Sequence, residues 1–328
     1  MNKLNKTLNK NLFERKKIEM IPTRNGYGEG LVLAGRENKD VVVLCADLTE
    51  STRSEDFRKE FPDRFIESGI AEQNMMSVAA GLALSGKIPF VSTYSVFCPG
   101  INWGQIRVNV LQNDANVKIT GAHAGISVGP DGMSHQGLED MAIMRCLPGM
   151  VVLAPCDAIE TRKATIAAAK YKGAVYLRFA REKTPVFTTE ETPFQIGRAE
   201  VFYQGRDVTI IACGPLVYEA LLAARELEKY KISAEVINNH TVKPLDENSI
   251  LDSVRKTKAV VTVEEHQVMG GMGSAVTEML VKNFPVPVEM IGVQDRFGES
   301  GEPDELLAAF GLTHPHIIKA VIRAMERK

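Results

Sequence analysis

Short apolar runs alternate with helix-length segments along most of the chain. The runs are mostly continuous, which is typical of strands that are buried on both faces of a parallel sheet. In the first half, the candidate strands are 41–46, 90–93, 117–120, 151–154 and 175–177. The candidate helices between these strands are 75–84, 103–112 and 158–169. This order predicts an α/β fold with a doubly wound, mainly parallel sheet.

The alternation stops at 183–193, where the sequence KTPVFTTEETP carries two prolines and four threonines. Such a cluster is typical of a loop, and we interpret 184–193 as a linker. A second, smaller α/β series follows. Its candidate strands are 208–212, 234–237, 259–263 and 288–291, and its candidate helices are 217–230, 273–281, 304–310 and 317–325. We therefore predict two α/β domains, 19–183 and 194–328.

Residues 1–18 precede the first domain and are rich in Asn and Lys. Their apolar residues Leu4, Leu8 and Phe13 are only loosely spaced. We predict a basic, solvated N-terminal arm that can dock on a neighbouring chain.

Composition narrows the function classes. The chain has 328 residues and a formal net charge of -2, so it lacks the broad basic field that binds nucleic acid. Its five cysteines form no CxxC pair, which argues against a zinc site or a disulfide framework and predicts small core residues in a reducing compartment. No apolar stretch is long enough to span a bilayer. We expect a soluble, cytoplasmic protein without a membrane partner.

Glu72 is the first residue that suggests chemistry. It lies in ESGIAEQNMM, directly before an apolar helix that includes AAGLAL. A carboxylate at a helix start can simply be a capping group, since free amide donors and the helix dipole favour it there. However, the next strand ends in STYSVF, so aromatic side chains leave the sheet at the same edge. A carboxyl group in such an apolar slot can remain protonated, and the two interpretations stay open at this point.

The stretch ITGAHAGISVGPDGMSHQ follows a candidate strand and holds His123, Asp131 and His135 among four glycines. Ligands bind beyond the carboxyl ends of strands in open α/β sheets, and histidine suits proton transfer near neutral pH. A turn at 129–132 with two structural histidines is the alternative. We favour a functional loop, and we predict no metal site because no further His or Cys cluster completes a ligand set.

The glycine-rich sequence GGMGSAV at 270–276 raises the possibility of dinucleotide binding. A dinucleotide-binding turn follows its strand directly, whereas EEHQVM separates this sequence from the preceding strand. We therefore favour helix entry and close packing over nucleotide binding.

Together these motifs resemble the thiamine-diphosphate enzymes. GIAEQ, AAGLALSGKIPFVSTYSVF and HAGISVGPDGMSHQGLEDMAIMRCLPGMVVLAP resemble the pyrimidine-binding domain of transketolase and of 1-deoxyxylulose-5-phosphate synthase. EEHQVMGGMGSAV and QDRFGESGEPDELL are similar to the C-terminal domain of the same enzymes. The resemblance extends from about residue 23 to the end of the chain. Several long motifs in one order are far more specific than a single glycine signature.

The resemblance implies a role for each residue near the cofactor. Glu72 would hydrogen-bond to the pyrimidine ring of thiamine diphosphate, and Tyr94 and Phe97 would pack on that ring. Asp47 matches an aspartate near the cofactor pocket. These enzymes hold the diphosphate and Mg²⁺ through a GDG…N motif on a preceding domain, and the chain has no GDG sequence. The resemblance therefore implies the C-terminal subunit of a split transketolase, paired with an N-terminal subunit in an α2β2 complex.

The resemblance also implies a sugar-phosphate substrate. His123 and His135 match the histidines that face the reacting carbons, and Asp131 matches an aspartate that binds a sugar hydroxyl. The positions that match phosphate-binding residues are Arg24, Ser51 and Arg181. The implied reaction transfers a two-carbon ketol unit from a ketose phosphate to an aldose.

Ala122-His123 favours transketolase, because the synthase usually carries Asp-Arg at this place. The synthase ranks second, since SGIAEQ resembles it equally well, and the β subunit of a 2-oxoacid dehydrogenase ranks third. A non-catalytic scaffold or regulatory subunit with the same fold is an alternative of a different class, because fold alone does not establish activity.

Overall fold

Two large β-sheets, each flanked by helices, and one two-stranded sheet organise the described part of the chain. The computed structural model describes residues 3–14 and 16–328. The strands are β1 Met20–Pro22, β2 Val41–Cys45, β3 Phe65–Glu67, β4 Ile88–Tyr94, β5 Lys118–Ala122, β6 Val151–Leu153, β7 Val175–Arg178, β8 Lys183–Pro185, β9 Glu200–Tyr203, β10 Val208–Ala212, β11 Ala234–Asn238, β12 Thr241–Lys243, β13 Val260–Gln267 and β14 Val288–Val293. The α-helices are α1 Thr23–Glu37, α2 Glu55–Glu60, α3 Glu72–Leu84, α4 Trp103–Gln105, α5 Asp140–Arg145, α6 Ala158–Lys170, α7 Val217–Leu227, α8 Glu247–Thr257, α9 Met272–Asn283, α10 Pro303–Ala309 and α11 His314–Glu326.

The first sheet has seven strands in the order β12-β6-β7-β5-β4-β2-β3. Six of them run parallel, as the continuous apolar runs predict, and only β12 is antiparallel to its neighbour. This strand comes from beyond the linker, yet it pairs Thr241 with Leu153 of β6 and so completes the sheet of the first half. A smaller sheet, β14-β13-β10-β11-β9, forms the core of the second half.

Helix α1 has no counterpart among the predicted elements, because its glycines lower helix propensity. The structure shows why these glycines are tolerated. A Cβ on Gly26 would lie 1.9 Å from the carbonyl oxygen of Ala158, and one on Gly30 would lie 2.6 Å from the Thr165 side chain. The glycines therefore let α1 pack closely against α6, and tertiary packing outweighs the local cost.

The prediction of a solvated N-terminal arm is wrong for the residues that the structure describes. Leu8 and Leu12 are buried in the same hydrophobic cluster as helix α7 of the second domain. The Tyr218 hydroxyl donates to the backbone carbonyl of Leu12 at 2.9 Å. The arm folds back because Leu8 and Leu12 are buried against the apolar cluster that includes α7, and burial of apolar side chains is favourable.

The segment 184–193 is also tied down. Its first residues belong to β8, which pairs with β1 just before α1. Farther along, Asp157 at the start of α6 accepts the backbone N–H groups of Phe187 and Thr188 at 2.9 and 2.7 Å. The connection between the domains is therefore a fixed part of the fold rather than a flexible tether.

Two further expectations can be compared with the structure. The glycine-rich sequence is a helix entry, as predicted, because α9 begins at Met272, whose N–H donates to the Glu264 carboxylate at 2.7 Å. Four cysteines are buried, but Cys146 is exposed, so it is not the core residue expected of it. Within the described residues, no helix combines the length and hydrophobicity needed to cross a membrane.

Candidate active site

The register of the first sheet brings the predicted residues to one edge. Strand β4 lies between β2 and β5, and it pairs Ser92 with Cys45 and Tyr94 with Ala122. The carboxyl ends of these parallel strands therefore lie side by side, which is where open α/β sheets bind ligands. His123 follows β5 directly, and helix α3 returns to this edge from β3.

Glu72 is the first residue of α3 and is 6 % exposed. The Thr93 hydroxyl donates to its Oε1 at 3.3 Å, and the Asn102 amide donates to its backbone carbonyl at 3.3 Å. The N-terminus of α3 has no side-chain cap. Among the hydrogen bonds of the described residues, none runs from a backbone N–H to the Glu72 carboxylate, so the structure does not support a simple capping role. A buried carboxyl group with one weak donor keeps most of its hydrogen-bonding capacity for a ligand.

Aromatic rings surround this edge. Tyr94 and Phe97 stack with ring centroids 5.8 Å apart, and Tyr94 also stacks on His123 at 3.9 Å. His135 meets both aromatic rings edge-on, at 6.1 Å from Tyr94 and 5.7 Å from Phe97. The structure therefore brings together two histidines and two aromatic side chains that the sequence separates by up to 41 positions.

His123 is buried and has the left-handed backbone angle φ of 54°. Its Nδ1 atom has no hydrogen-bond partner among the residues that the structure describes. Burial lowers the pKa of His123 to about 3, and the nearby positive charges of Arg24 and Arg181 act in the same direction. The imidazole is therefore neutral at physiological pH, where it can both donate and accept a hydrogen bond.

Arginines form the positively charged side of the site. Arg24 donates to the backbone carbonyl of Ser51 at 3.0 Å, and its buried Nε has no partner within the described part of the chain. Burial lowers the pKa of Arg24, and the charges of Arg53 and Arg181 lower it further. Arg181 is paired with Asp131 at 2.7 Å. Arg181 is also paired with Glu182 at 3.4 Å, whereas Arg24 and Arg53 form no ion pair among the described residues, so these two guanidinium groups favour an anion such as phosphate.

Arg53 was missed by the sequence reasoning. Its positive charge lies close enough to Arg24 to lower the pKa of that group, and its Nε donates to the side chain of Asn25 at 3.1 Å. Its position two residues after Ser51, in the same loop, was the available signal. The Ser51 contact with Arg24 uses the backbone carbonyl and not the hydroxyl, so the residue type at 51 was not what the contact required.

Asp47 lies at the same sheet edge but apart from the aromatic cluster. It is exposed and has a φ of 57°, and its backbone N–H donates to Glu67 at 2.8 Å. No hydrogen bond or ion pair in the described part of the chain joins its carboxylate to Glu72, Tyr94 or the histidines. The structure thus places Asp47 near the site without a contact that defines a role.

Comparison with known proteins identifies the class. The model of the transketolase pyrimidine-binding domain matches residues 19–186, and that of the transketolase C-terminal domain matches residues 197–317. The chain belongs to the transketolase family, which confirms the resemblance found in its motifs and the predicted α/β fold. Thiamine diphosphate is the cofactor that this family implies.

Particular relatives match over nearly their whole length. The chain is 46 % identical over 309 residues to a putative transketolase C-terminal section of Methanocaldococcus jannaschii, covering 93 % of this chain and 96 % of that protein. It is 42 % identical over 312 residues to a 6-deoxy-6-sulfo-D-fructose transketolase subunit of Clostridium sp. (strain MSTE9), covering 95 % and 97 %. A solved structure described as a split gene transketolase, inactive β4 tetramer, superposes with a TM-score of 0.88 at 46 % identity, covering 94 % and 99 %.

Proposed function

We propose that the chain is the C-terminal subunit of a two-chain, thiamine-diphosphate-dependent transketolase. Together with a separate N-terminal subunit, it would transfer a two-carbon ketol unit from a ketose phosphate to an aldose acceptor. The observation that carries the proposal is the buried Glu72 carboxyl group, which accepts from Thr93 at the end of β4, where the next residue, Tyr94, stacks with Phe97. The match to subunit-length transketolase sections supports the two-chain arrangement.

The residues present fit the pyrimidine ring of this cofactor. A flat heteroaromatic ring suits the stacked pair Tyr94 and Phe97, and a ring nitrogen suits a buried carboxyl group that has only the Thr93 hydroxyl as a donor. When bound, thiamine diphosphate supplies the nucleophilic carbon and the electron sink for carbon–carbon bond cleavage. Glu72 would hold a proton at the ring nitrogen. The sequence has no GDG motif, so we assign the diphosphate and Mg²⁺ to the partner subunit.

The remaining residues would handle the sugar phosphate. Arg24, with the neighbouring charges of Arg53 and Arg181, offers the positive charge that a phosphate needs. His123 is neutral and buried against Tyr94, so it can exchange a proton with a sugar oxygen without first losing its own charge. His135 flanks the same rings, and Asp131 orients Arg181 and can also bind a hydroxyl group. Their shared effect is to fix the sugar relative to the cofactor.

The active site would lie between chains. An α2β2 particle with two sites would follow from a twofold arrangement of such interfaces. The solved relative that forms an inactive tetramer of its β chain fits this view, since a chain of this kind alone would hold only half of the cofactor. A stable monomer of this chain that turns over sugar phosphates by itself would contradict the proposal.

The test is the substitution Glu72→Gln in the reconstituted two-chain complex. The amide keeps the shape of the side chain but cannot supply the proton, so we expect kcat to fall by about 10²-fold or more, the usual range for one acid–base group. Glu50→Gln is the matched control, because Glu50 is exposed in a nearby loop. Among the described hydrogen bonds it takes part only through its backbone carbonyl, which accepts from the Arg53 N–H. Near-normal turnover of the Glu72 variant at saturating cofactor would reject the assignment.

A non-catalytic subunit of the same fold is the rival proposal. Thiamine diphosphate with Mg²⁺ should raise the melting temperature of the active complex only when both chains are present, because a ligand stabilises the state that binds it. No shift with the correct partner would favour the scaffold. A substrate screen should include the sulfosugar used by the Clostridium relative as well as phosphorylated ketoses. Condensation of pyruvate with glyceraldehyde 3-phosphate would instead support the synthase-like alternative.

A further inference from the structure

The segment 123–136, here called the histidine loop, is held by the second domain. Glu265 in β13 accepts the backbone N–H of Ser127 through Oε1 at 2.6 Å. At the end of the loop, the Gln136 side chain donates to the backbone carbonyls of Ile126 and Glu299, both at 3.0 Å. His123, Asp131 and His135 therefore lie on a segment whose middle and end are fixed by residues more than 120 positions later.

Close packing supports the same conclusion. Gly125 has a φ of +94°, and a Cβ there would lie 2.3 Å from the Glu265 carboxylate. A Cβ on Gly298 would lie 1.7 Å from Oε1 of Gln136. Both glycines thus allow a side chain from one domain to approach the backbone of the other domain directly. As long as the Glu265 and Gln136 side chains keep these positions, the backbone of the histidine loop has little room to move.

Glu265 is itself fixed to the first domain. Arg178 donates to its backbone carbonyl at 2.7 Å and also to the Gly137 carbonyl at 3.2 Å. The same guanidinium is paired with Asp140 at 2.9 Å, and both side chains are almost fully buried. The carboxylate of Glu265 therefore rests on a rigid backbone that is anchored beside the loop it holds.

An open pocket lies behind the histidine loop. A cavity of about 340 Å³ opens beside Ser127 and Glu265, between the apolar residues Met20 and Leu307. Since this side of the loop faces an open pocket and not packed side chains, loss of the Glu265 carboxylate would remove the one described hydrogen-bond partner of the Ser127 amide and leave the loop free to move.

We propose that Glu265 is a positioning residue for the sugar-binding histidine loop, and that this is a role of the second domain in the reaction. The kinetic part of this inference rests on the proposed function, but the structural part does not. Glu265 touches neither Glu72 nor the stacked pair Tyr94 and Phe97 in any described contact. Its effect should therefore fall on sugar binding and not on cofactor binding.

The structural part is tested by hydrogen exchange on the full-length chain, alone and with its partner. Glu265→Ala should speed exchange of the backbone amides of 123–136 by tenfold or more, while the β10 and β13 amides keep their protection. Glu265→Gln retains an acceptor oxygen and should restore protection of the loop. Glu299→Ala is the control, because this exposed side chain is removed while the backbone carbonyl that receives Gln136 remains. Unchanged loop exchange in the alanine variant would overturn the proposal.

The kinetic part uses the reconstituted complex. We expect Glu265→Ala to lower kcat/KM for the sugar phosphate by about 10²-fold, the cost of a displacement of roughly 1 Å, with half-saturation by thiamine diphosphate changed less than twofold. If Glu265→Ala weakens the use of the sugar phosphate and the binding of thiamine diphosphate to the same extent, the substitution disturbs the whole active site, and the positioning role is rejected. If the wild-type complex turns over no sugar, the proposed function fails, while the exchange result still decides whether Glu265 holds the loop.

Discussion

The neutral state of His123 makes a quantitative prediction. The pKa of His123 is about 3 in the folded chain, compared with its ordinary value of 6.5. Between these two pH values, the imidazole is protonated in the unfolded chain but stays neutral in the folded chain. The sign follows from this order: stability is unaffected above pH 6.5 and is lost as the pH falls towards 3. At pH 5, about 1.5 pH units below the ordinary value, the loss is about 2 kcal/mol at 1.36 kcal/mol per unit.

The perturbation is His123→Asn. Asparagine tolerates the left-handed backbone angle of this position and does not titrate, so it removes the charge without forcing the backbone. The difference in the free energy of unfolding between wild type and variant should therefore shrink by about 2 kcal/mol between pH 8 and pH 5. Because wild type and the His123→Asn variant are compared at the same pH, the contributions of the other titrating groups cancel.

Urea unfolding at the two pH values measures this difference. Trp103 is the single tryptophan of the chain and its indole N–H donates to Ile143 at 2.8 Å, so its fluorescence reports on the first domain, which also holds His123. Far-ultraviolet circular dichroism should give the same midpoints if the two domains unfold together. Tyr94→Phe is the control, because it alters the same aromatic cluster without removing a histidine. The difference in unfolding free energy between this variant and wild type should not change with pH. If the difference in unfolding free energy between wild type and His123→Asn is the same at pH 8 and pH 5, the reasoning is refuted.

Two further substitutions test the structure of the core. Arg178→Met removes the charged partner of the fully buried Asp140 and leaves it the Tyr176 hydroxyl as a donor, so it should cost about 3–5 kcal/mol of unfolding free energy, measured in urea. Recovery in the double variant with Asp140→Asn would identify the uncompensated charge as the cause. Leu12→Ala should cost about 2–5 kcal/mol, because Leu12 is fully buried, whereas Lys10→Ala on the exposed side of the same arm should change little. Equal stability of the two arm variants would show that the arm is solvated after all.

Much of the fold was readable from the sequence because continuous apolar runs mark buried parallel strands. The runs at 41–46 and 90–93 correspond to β2 and β4 within two residues. Helix α1 was not readable, since its glycines are suited to a neighbour that only the tertiary fold supplies. Strand β12 was also missed, because three residues carry too little periodicity to indicate a strand.

The sequence motifs predicted the residues of the candidate site itself, but not the residues that hold them in position. Glu72 and His123 lie in stretches that combine chemistry with a strand end, so position and residue type agree. Glu265 acts on Ser127 across 138 positions, and no local pattern connects the two. Arg53 is similar, because its importance comes from its charge close to Arg24 and not from its own neighbours. Sequence patterns report on one segment at a time, whereas the electrostatics of a site depend on segments that meet only after folding.

The placement of β12 affects how the protein can be synthesised and divided. The ribosome releases β6 nearly 90 residues before the strand that covers its outer edge. Until Thr241–Lys243 emerges, that edge offers unpaired backbone groups to any other chain, which is the usual route to edge-to-edge aggregation. A fragment that stops at residue 193 would keep this liability permanently. The two halves are therefore separate in sequence similarity but inseparable as folding units, and a gene cut at the linker should yield an insoluble first half.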